Sequence, residues 1–475
     1  MTAEWTEHVL WWQVYPLGFV GAEIRPEKPV AEVTHRLDRI AGWLDHVIEL
    51  GLNGLQLGPV FTSTSHGYDT LDHFTVDPRL GDGDDLDRLL AEAEGRGIRV
   101  LLDGVFNHVG RAHPWFVDVE QHGPESEYAD RFRIDWGSSP EWSPGDDVPA
   151  QVFEGHDALV VLNHESEAVR DHVVEVMTHW LDRGIDGWRL DAAYAVPASF
   201  WAAVLPRVRE RHPDAWFSGE VIHGVGSDFV AESTIDSLTQ YELWQGIWHA
   251  LSDRNLFELA HAVQRGNELL RQSIPSTFIG NHDVTRIASA VGPELVPHAA
   301  AVLFTVAGVP SVYAGDEYAY RGVKEARLGG DDAVRPEFPP TPPPPGELSS
   351  DAAAVLRAHE QLIAVRRRHP WLHSAHTDVV ELENEWIVLR TATGSGAVIT
   401  ALNPSSEPRR LPVGTPHIPV AGEATAEGDD LLVPRAAGSS PSPRSPQPPS
   451  PRGPPRRELA RMISSSREIP PFISP

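Results

Sequence analysis

The sequence predicts an α/β protein built as a closed (β/α)₈ TIM barrel, with a loop domain inserted after the third strand and an antiparallel β domain near the C-terminus. Three observations carry this reading. Short apolar runs of strand character alternate with amphipathic helical windows, as in a parallel sheet made of βα units. Eight such units fit within the 475 residues, and closing eight strands on themselves leaves no sheet edge to protect. Apolar residues make up 41% and charged residues 23% of the chain, close to the globular average, and no run approaches the ~18 consecutive apolar residues of a membrane helix.

The expected strands are residues 10–16, 54–59, 99–106, 187–192, 216–221, 237–243, 276–283 and 309–316. Between the first two, Val33, Leu37, Ile40, Ala41, Leu44, Val47 and Ile48 recur at helical spacing, predicting a helix over 29–52 with one inward stripe. Helices are likewise expected over 167–183, 198–212, 295–307 and, beyond a Pro-rich link at 336–346, over 351–368. Residues 109–165 are rich in His, Trp, Asp, Gly and Pro without helical period and read as the insertion at the catalytic rim. Runs 378–382, 386–391 and 397–402 alternate apolar and polar residues as antiparallel strands do. The domains are therefore 1–108 with 166–372 for the barrel, 109–165 for the inserted loop domain, and 373–435 for the β domain. Residues 436–475 are Ser, Pro and Arg without periodicity, and this tail is expected to be disordered.

Charge and composition narrow the partners. A formal charge of −29 repels phosphate backbones, so no nucleic acid is expected, and no membrane either. Cysteine is absent, which removes disulfides, thiolate metal sites and cysteine nucleophiles together. Residues 1–9 lack a basic leader and 9–16 already read as a strand, so a cytoplasmic location is expected.

On a (β/α)₈ barrel the reacting groups sit at the C-terminal ends of the strands. Four ends carry ionisable residues: 103–108 (Asp-Gly-Val-Phe-Asn-His), Arg189 with Asp191, Glu220, and Asn281-His282-Asp283. A lone acid there reads most simply as a helix cap or an arginine partner. Asp191, Glu220 and Asp283 converging on one rim with two histidines and an arginine read as chemistry. Such a set suits acetal cleavage, whose oxocarbenium-like transition state needs an anionic nucleophile, a proton donor and further negative charge. Asp191 is the nucleophile candidate, because Arg189 on the same strand face can hold it ionised. Glu220 is the acid candidate: Phe217, Ser218 and Gly219 bring no positive charge, so crowding by other carboxylates should keep it protonated. Asp283 would favour the developing positive charge, with His108 and His282 donating hydrogen bonds to the same sugar ring.

These motifs resemble the α-amylase family, glycoside hydrolase family 13. Residues 103–108, 187–191, 219–221 and 281–283 match its barrel-strand motifs in order. So do Gly67-Tyr68-Asp69-Thr70 ahead of Val76-Asp77-Pro78, and Val312-Tyr313-Ala314-Gly315-Asp316-Glu317 at strand eight. The resemblance spans about residues 8–435. It implies a retaining reaction on α-glucosidic bonds of maltodextrin or starch-like oligosaccharides, with Asp191 as nucleophile, Glu220 as acid/base and Asp283 as transition-state stabiliser. It further implies a sugar stacked on Tyr68, with Arg189, His108 and His282 completing the substrate site.

Departures qualify the match. The family's Lys-His pair after the nucleophile is Tyr194-Ala195 here, so binding on the leaving-group side must differ. The run 159–163 is Leu-Val-Val-Leu-Asn, and Val161 stands where the family has a calcium-binding aspartate; no cofactor is expected, and calcium is not favoured although Asn107 matches a family ligand. Ser65 replaces an aspartate that seals the cleft in exo-acting members, which points to an open, endo-type cleft. Asp82-Gly-Asp-Asp85 reads as a helix cap more than a calcium loop, and His108 with His113 lacks the partners of a zinc site. Trp115, Trp136 and Trp142 read either as sugar platforms or as packing of the insertion. Two other readings stand beside the hydrolase: a transglycosylase or trehalose-forming isomerase using the same site, and a non-catalytic carbohydrate-binding protein on the same barrel.

Overall fold

The computed structural model describes residues 3–137, 142–223, 228–413, 421–422, 424–427 and 430–434; the expected tail at 436–475 lies outside them. Eight parallel strands form the central sheet: β1 Trp11–Val14, β2 Gly54–Leu57, β3 Arg99–Gly104, β4 Gly187–Leu190, β5 Trp216–Gly219, β6 Ser237–Leu238, β7 Ser276–Phe278 and β8 Val309–Tyr313. The ladder runs β6-β5-β4-β3-β2-β1-β8-β7. A parallel bridge between Thr239 and Ser276, with Gln240 N donating to Ser276 O at 2.8 Å, joins the two ends and closes the barrel. Strands β1, β4, β5 and β8 are buried at every residue, as expected when helices cover the outside. Close strand approach requires glycine at 187, where a Cβ would sit 2.0 Å from Trp216 O.

Tryptophans plug the N-terminal end. Trp11 at the start of β1 stacks on Trp216 at the start of β5 (5.8 Å, 11°), and Trp5 meets both edge-on. The opposite end is left for side chains that do chemistry. Outside stand α1 Leu44–Leu50, α2 Gly83–Gly95, α3 Glu167–Asp182, α4 Ala198–Arg211, α5 Tyr241–Ser252, α6 Leu256–Leu269, α7 Val296–Thr305 and α8 Ser350–Arg368. At α2, Asp82 and Asp85 form a reciprocal capping box, the reading favoured from sequence.

Three expectations need correction. The helix over 29–52 reduces to Asp38–Ala41 and α1; residues 34 and 36 instead donate backbone hydrogen bonds to Pro78 O and Leu80 O (both 2.8 Å), and Val33 is 40% exposed. Strand six stops at Leu238, because Tyr241, Leu243, Ile247 and Leu251 form the buried stripe of α5. The insertion contains a helix, Pro114–His122, which His113 caps and Pro114 opens, beside an antiparallel sheet of His108–Gly110, His156–Val161 and Val152–Phe153.

The C-terminal part holds β9 His376–Glu383, β10 Trp386–Thr393 and β11 Gly396–Leu402, antiparallel as expected. A second sheet, β12 Arg409–Pro412, β13 Thr425–Glu427 and β14 Asp430–Val433, has strands too short to produce a readable alternation. Paired hydrogen bonds between the Asn267 side chain on α6 and the Thr377 backbone (2.8 and 3.1 Å) tie β9 to the barrel. Among the described residues no helix is long and apolar enough to cross a membrane.

Candidate active site

Neighbouring strands β3, β4 and β5 deliver the acids. Register pairs Asp103 with Arg189 and Arg189 with Ser218, so residues just past these positions emerge side by side at the C-terminal rim. The Arg189 guanidinium lies among three carboxylates. Its Nη1 contacts Asp103 Oδ1 (2.8 Å) and Oδ2 (2.9 Å) and Asp191 Oδ1 (2.9 Å), while Nη2 meets Glu220 Oε1 at 2.5 Å. Asp191 and Glu220 are thus bracketed by one rigid fork. Ala192 adopts a left-handed conformation (φ 44°), which turns its N–H onto Glu220 Oε2 at 3.1 Å. Tyr241 OH donates to Glu220 Oε1 (3.0 Å) and itself accepts from Asn281 Nδ2 (3.0 Å).

This geometry revises two electrostatic expectations. Positive charge does reach Glu220, from the adjacent strand instead of its own neighbours in sequence. Arg189 is divided among three acids, so burial, with like charge from Glu220, Asp103 and Asp283, pushes the Asp191 carboxyl well up against the pull of Arg189. Burial pushes Asp103 up in the same way. Three carboxylates around one guanidinium ionise together only at high cost, so the cluster retains a proton.

Asp283 behaves oppositely. Burial alone would raise it, but the His282 imidazole, Arg335 and Lys324 draw its carboxyl well below the usual range. Arg335 Nη2 holds Oδ1 at 2.6 Å and His282 Nε2 holds Oδ2 at 2.9 Å. Arg335 also donates to His282 O (2.9 Å), pairs with Asp331 (2.5 Å) and lies 4.5 Å over the Tyr15 ring. Tyr68 OH donates to Asp103 Oδ2 (3.1 Å) and meets His282 Nε2. Gln13 Nε2 lies 3.3 Å from His282 Nδ1 on the other side of that ring. A continuous network therefore links Asp191, Arg189, Asp103, Tyr68, His282 and Asp283.

His108 is buried behind this row. Its Nε2 donates to Tyr68 O at 3.1 Å and its ring stacks on Phe153 (4.8 Å); burial lowers it to about 3. Sequence reasoning missed Arg335, Tyr241 and Lys324. Arg335 falls in a stretch with no strand pattern, its only signal being Asp331 four residues earlier, and Tyr241 was assigned to a strand.

At position 194, where the family's lysine is lost, Tyr194 OH donates to Glu154 of the insertion (2.7 Å) and its ring packs on His223 (5.5 Å). The calcium donor set does not fit a hard cation: the Asn107 amide nitrogen faces His108 Nδ1 (3.1 Å), Asn163 is bonded to Asp130 O (2.8 Å) and Glu165 N (3.2 Å), and Val161 is buried without an oxygen. The one convergence of metal-type side chains among the described residues is His35, Asp82 and Asp85, where the aspartates cap α2 and Arg88 pairs with Asp85. Trp115 is committed to packing, with Tyr128 stacked at 6.0 Å and Arg131 4.0 Å over its face.

A parallel (β/α)₈ barrel with three acids grouped on one arginine, and a fourth held apart by its own cations, defines a carboxylate-centred barrel protein. Residues 14–337 match the model of the α-amylase catalytic domain, and the chain belongs to the α-amylase family. It is 32% identical over 340 residues to a Bacillus sp. cyclomaltodextrinase, covering 67% of this chain and 60% of that one. It is 30% identical over 391 residues to neopullulanase 2 of Thermoactinomyces vulgaris, covering 77% and 64%. Among solved structures, the acarbose-soaked debranching enzyme of Nostoc punctiforme superposes with a TM-score of 0.75 at 26% identity, covering 92% of this chain and 98% of that one. The cyclic α-maltosyl-(1→6)-maltose hydrolase of Arthrobacter globiformis, in complex with its substrate, gives 0.73 at 25% identity, covering 87% and 94%.

Proposed function

We propose that this chain is a retaining glycosidase acting on α-glucosidic bonds of maltodextrin-like oligosaccharides. The observation that carries the reading is the single guanidinium that contacts both Asp191 and Glu220, which supports the paired carboxyls that double displacement uses, a nucleophile and a proton donor. Glu220 gives a proton to the glycosidic oxygen as that bond breaks, while an Asp191 oxygen attacks the anomeric carbon and forms a glycosyl ester. Glu220, now ionised, takes a proton from water as the water oxygen attacks the same carbon, and the Asp191 ester bond breaks. Asp283, kept anionic by His282 and Arg335, favours the positive charge that develops in both steps. Tyr68, His108, Arg189 and His282 build the wall against the ring, His108 through the Tyr68 backbone. The reaction so written calls for no cofactor. The names of the relatives, cyclomaltodextrinase and neopullulanase, support an α-glucan substrate.

Turnover of an aryl α-glucoside by the wild type and Asp191→Ala tests this. We expect the variant to lose at least 10³-fold in kcat, roughly the scale of removing a covalent catalyst; equal rates would overturn the nucleophile. Products from maltotriose separate hydrolysis from transfer: longer oligosaccharides or trehalose appearing before glucose and maltose would overturn the hydrolase in favour of a transglycosylase or isomerase.

A further inference from the structure

Of the 39 basic residues in this chain only Lys28 and Lys324 are lysines. Lys28 is exposed, whereas Lys324 is half-buried on the loop after β8. That loop is fastened to the segment following Asp283. Arg286 N donates to Gly322 O (3.0 Å), Gly322 N to Ser289 Oγ (3.0 Å) and Lys324 N to Thr285 Oγ1 (3.1 Å). The Lys324 ammonium accordingly feels the charges of Asp283, Arg335, Asp331 and Glu220.

Its ammonium nevertheless makes no hydrogen bond or ion pair with any described residue, because the neighbouring acids are engaged. Both oxygens of Asp283 are held by Arg335 and His282. Asp331 pairs with Arg335 and Arg25, and Glu220 with Arg189 and Tyr241. An ammonium carrying three donors and partly withdrawn from water needs acceptors. On the glycosidase reading, the acceptors that arrive beside Asp283 are substrate hydroxyls. Lysine suits that task better than the arginine this chain otherwise uses, since a rotating point donor adapts to single hydroxyls where a planar fork favours carboxylates.

We propose that Lys324 is a substrate-contacting residue whose Nζ donates to a hydroxyl of the sugar bound against Asp283, and so helps to determine which α-glucosides bind. This rests on the glycosidase reading above. The test compares full-length wild type with Lys324→Met on maltotriose, and measures maltose binding by calorimetry in Asp191→Ala with and without Lys324→Met. We expect Lys324→Met to raise KM about tenfold, with kcat changing less, and to weaken maltose about tenfold, the scale of one charge-assisted hydrogen bond; the thermal midpoint should stay that of the wild type. Unchanged KM and maltose affinity would overturn the proposal, and so would a loss of affinity that appears only together with a lowered thermal midpoint. Failure of the underlying reading has a different signature: wild type and Asp191→Ala would turn over an aryl α-glucoside alike.

Discussion

Replacing Arg189 tests how far one side chain organises the site. In Arg189→Met, Asp103, Asp191 and Glu220 lose their common cation while remaining buried. Removing one partner of a buried ion pair costs about 3–5 kcal/mol, and proton uptake by the orphaned acids holds the loss toward the lower end. For the reaction, the charge-assisted hydrogen bond to Asp191 (2.9 Å) and the buried ion pair with Glu220 (2.5 Å) are worth about 1.5–3 kcal/mol each. Losing both lowers kcat/KM by about 10²–10⁴-fold. Arg189→Lys, which keeps the charge but reaches fewer oxygens, should fall between the variant and the wild type. Urea unfolding gives the stability and aryl α-glucoside turnover the activity. An Arg189→Met protein within twofold of wild type in kcat/KM, with the same urea midpoint, would refute the reasoning.

Other outcomes follow from the same geometry. Because burial and neighbouring acids raise Asp191, kcat/KM should climb on an acidic limb that lies above the ordinary carboxylate value of 3.8; a pH profile still at its plateau below that value would contradict the assignment. His113 and His172 are lowered by burial to about 3 and about 2, against 6.5 when unfolded. The unfolded chain therefore binds more protons between those values, and stability is lost as pH falls from about 6.5, at roughly 1.4 kcal/mol per pH unit for each histidine. Equal urea midpoints at pH 7 and pH 5 would contradict this. The family resemblance implies that residue 194, whose hydroxyl here donates to Glu154, serves the leaving-group side, so Tyr194→Ala should raise KM for maltotriose severalfold more than for an aryl α-glucoside; equal effects on the two substrates would refute that placement.

Much of the barrel was legible because buried parallel strands and the stripes of α3, α4 and α8 write strong periodicities. The acids of the candidate site stood out for a related reason: each follows an apolar strand end, where an uncompensated charge is costly. Residues that act across the chain were not. Arg335 reaches Asp283 from a loop with no pattern, and Glu220 receives its cation from β4, so a reading of Phe217, Ser218 and Gly219 missed it. Failure at residues 29–36 has another cause: helical spacing was present there, but the backbone found partners at Pro78 and Leu80.

Barrel closure has one thin place. β4 shares four paired positions with each neighbour, whereas β6 offers two residues to β5 and meets β7 through a single bridge. There a chain of hydroxyls substitutes for a ladder: Ser218 to Ser276 at 2.8 Å, Ser276 to Ser237 at 2.9 Å, and Ser237 to Ile274 O at 2.7 Å. Glu220 follows the strand that carries Ser218, and Tyr241, its phenolic partner, follows β6. Asp191 thus rides on a fully stitched stave while Glu220 hangs beside a seam. Opening of that seam under thermal motion moves Glu220 and leaves Asp191 still, and amide exchange should begin at Leu238 to Gln240 before it reaches β4.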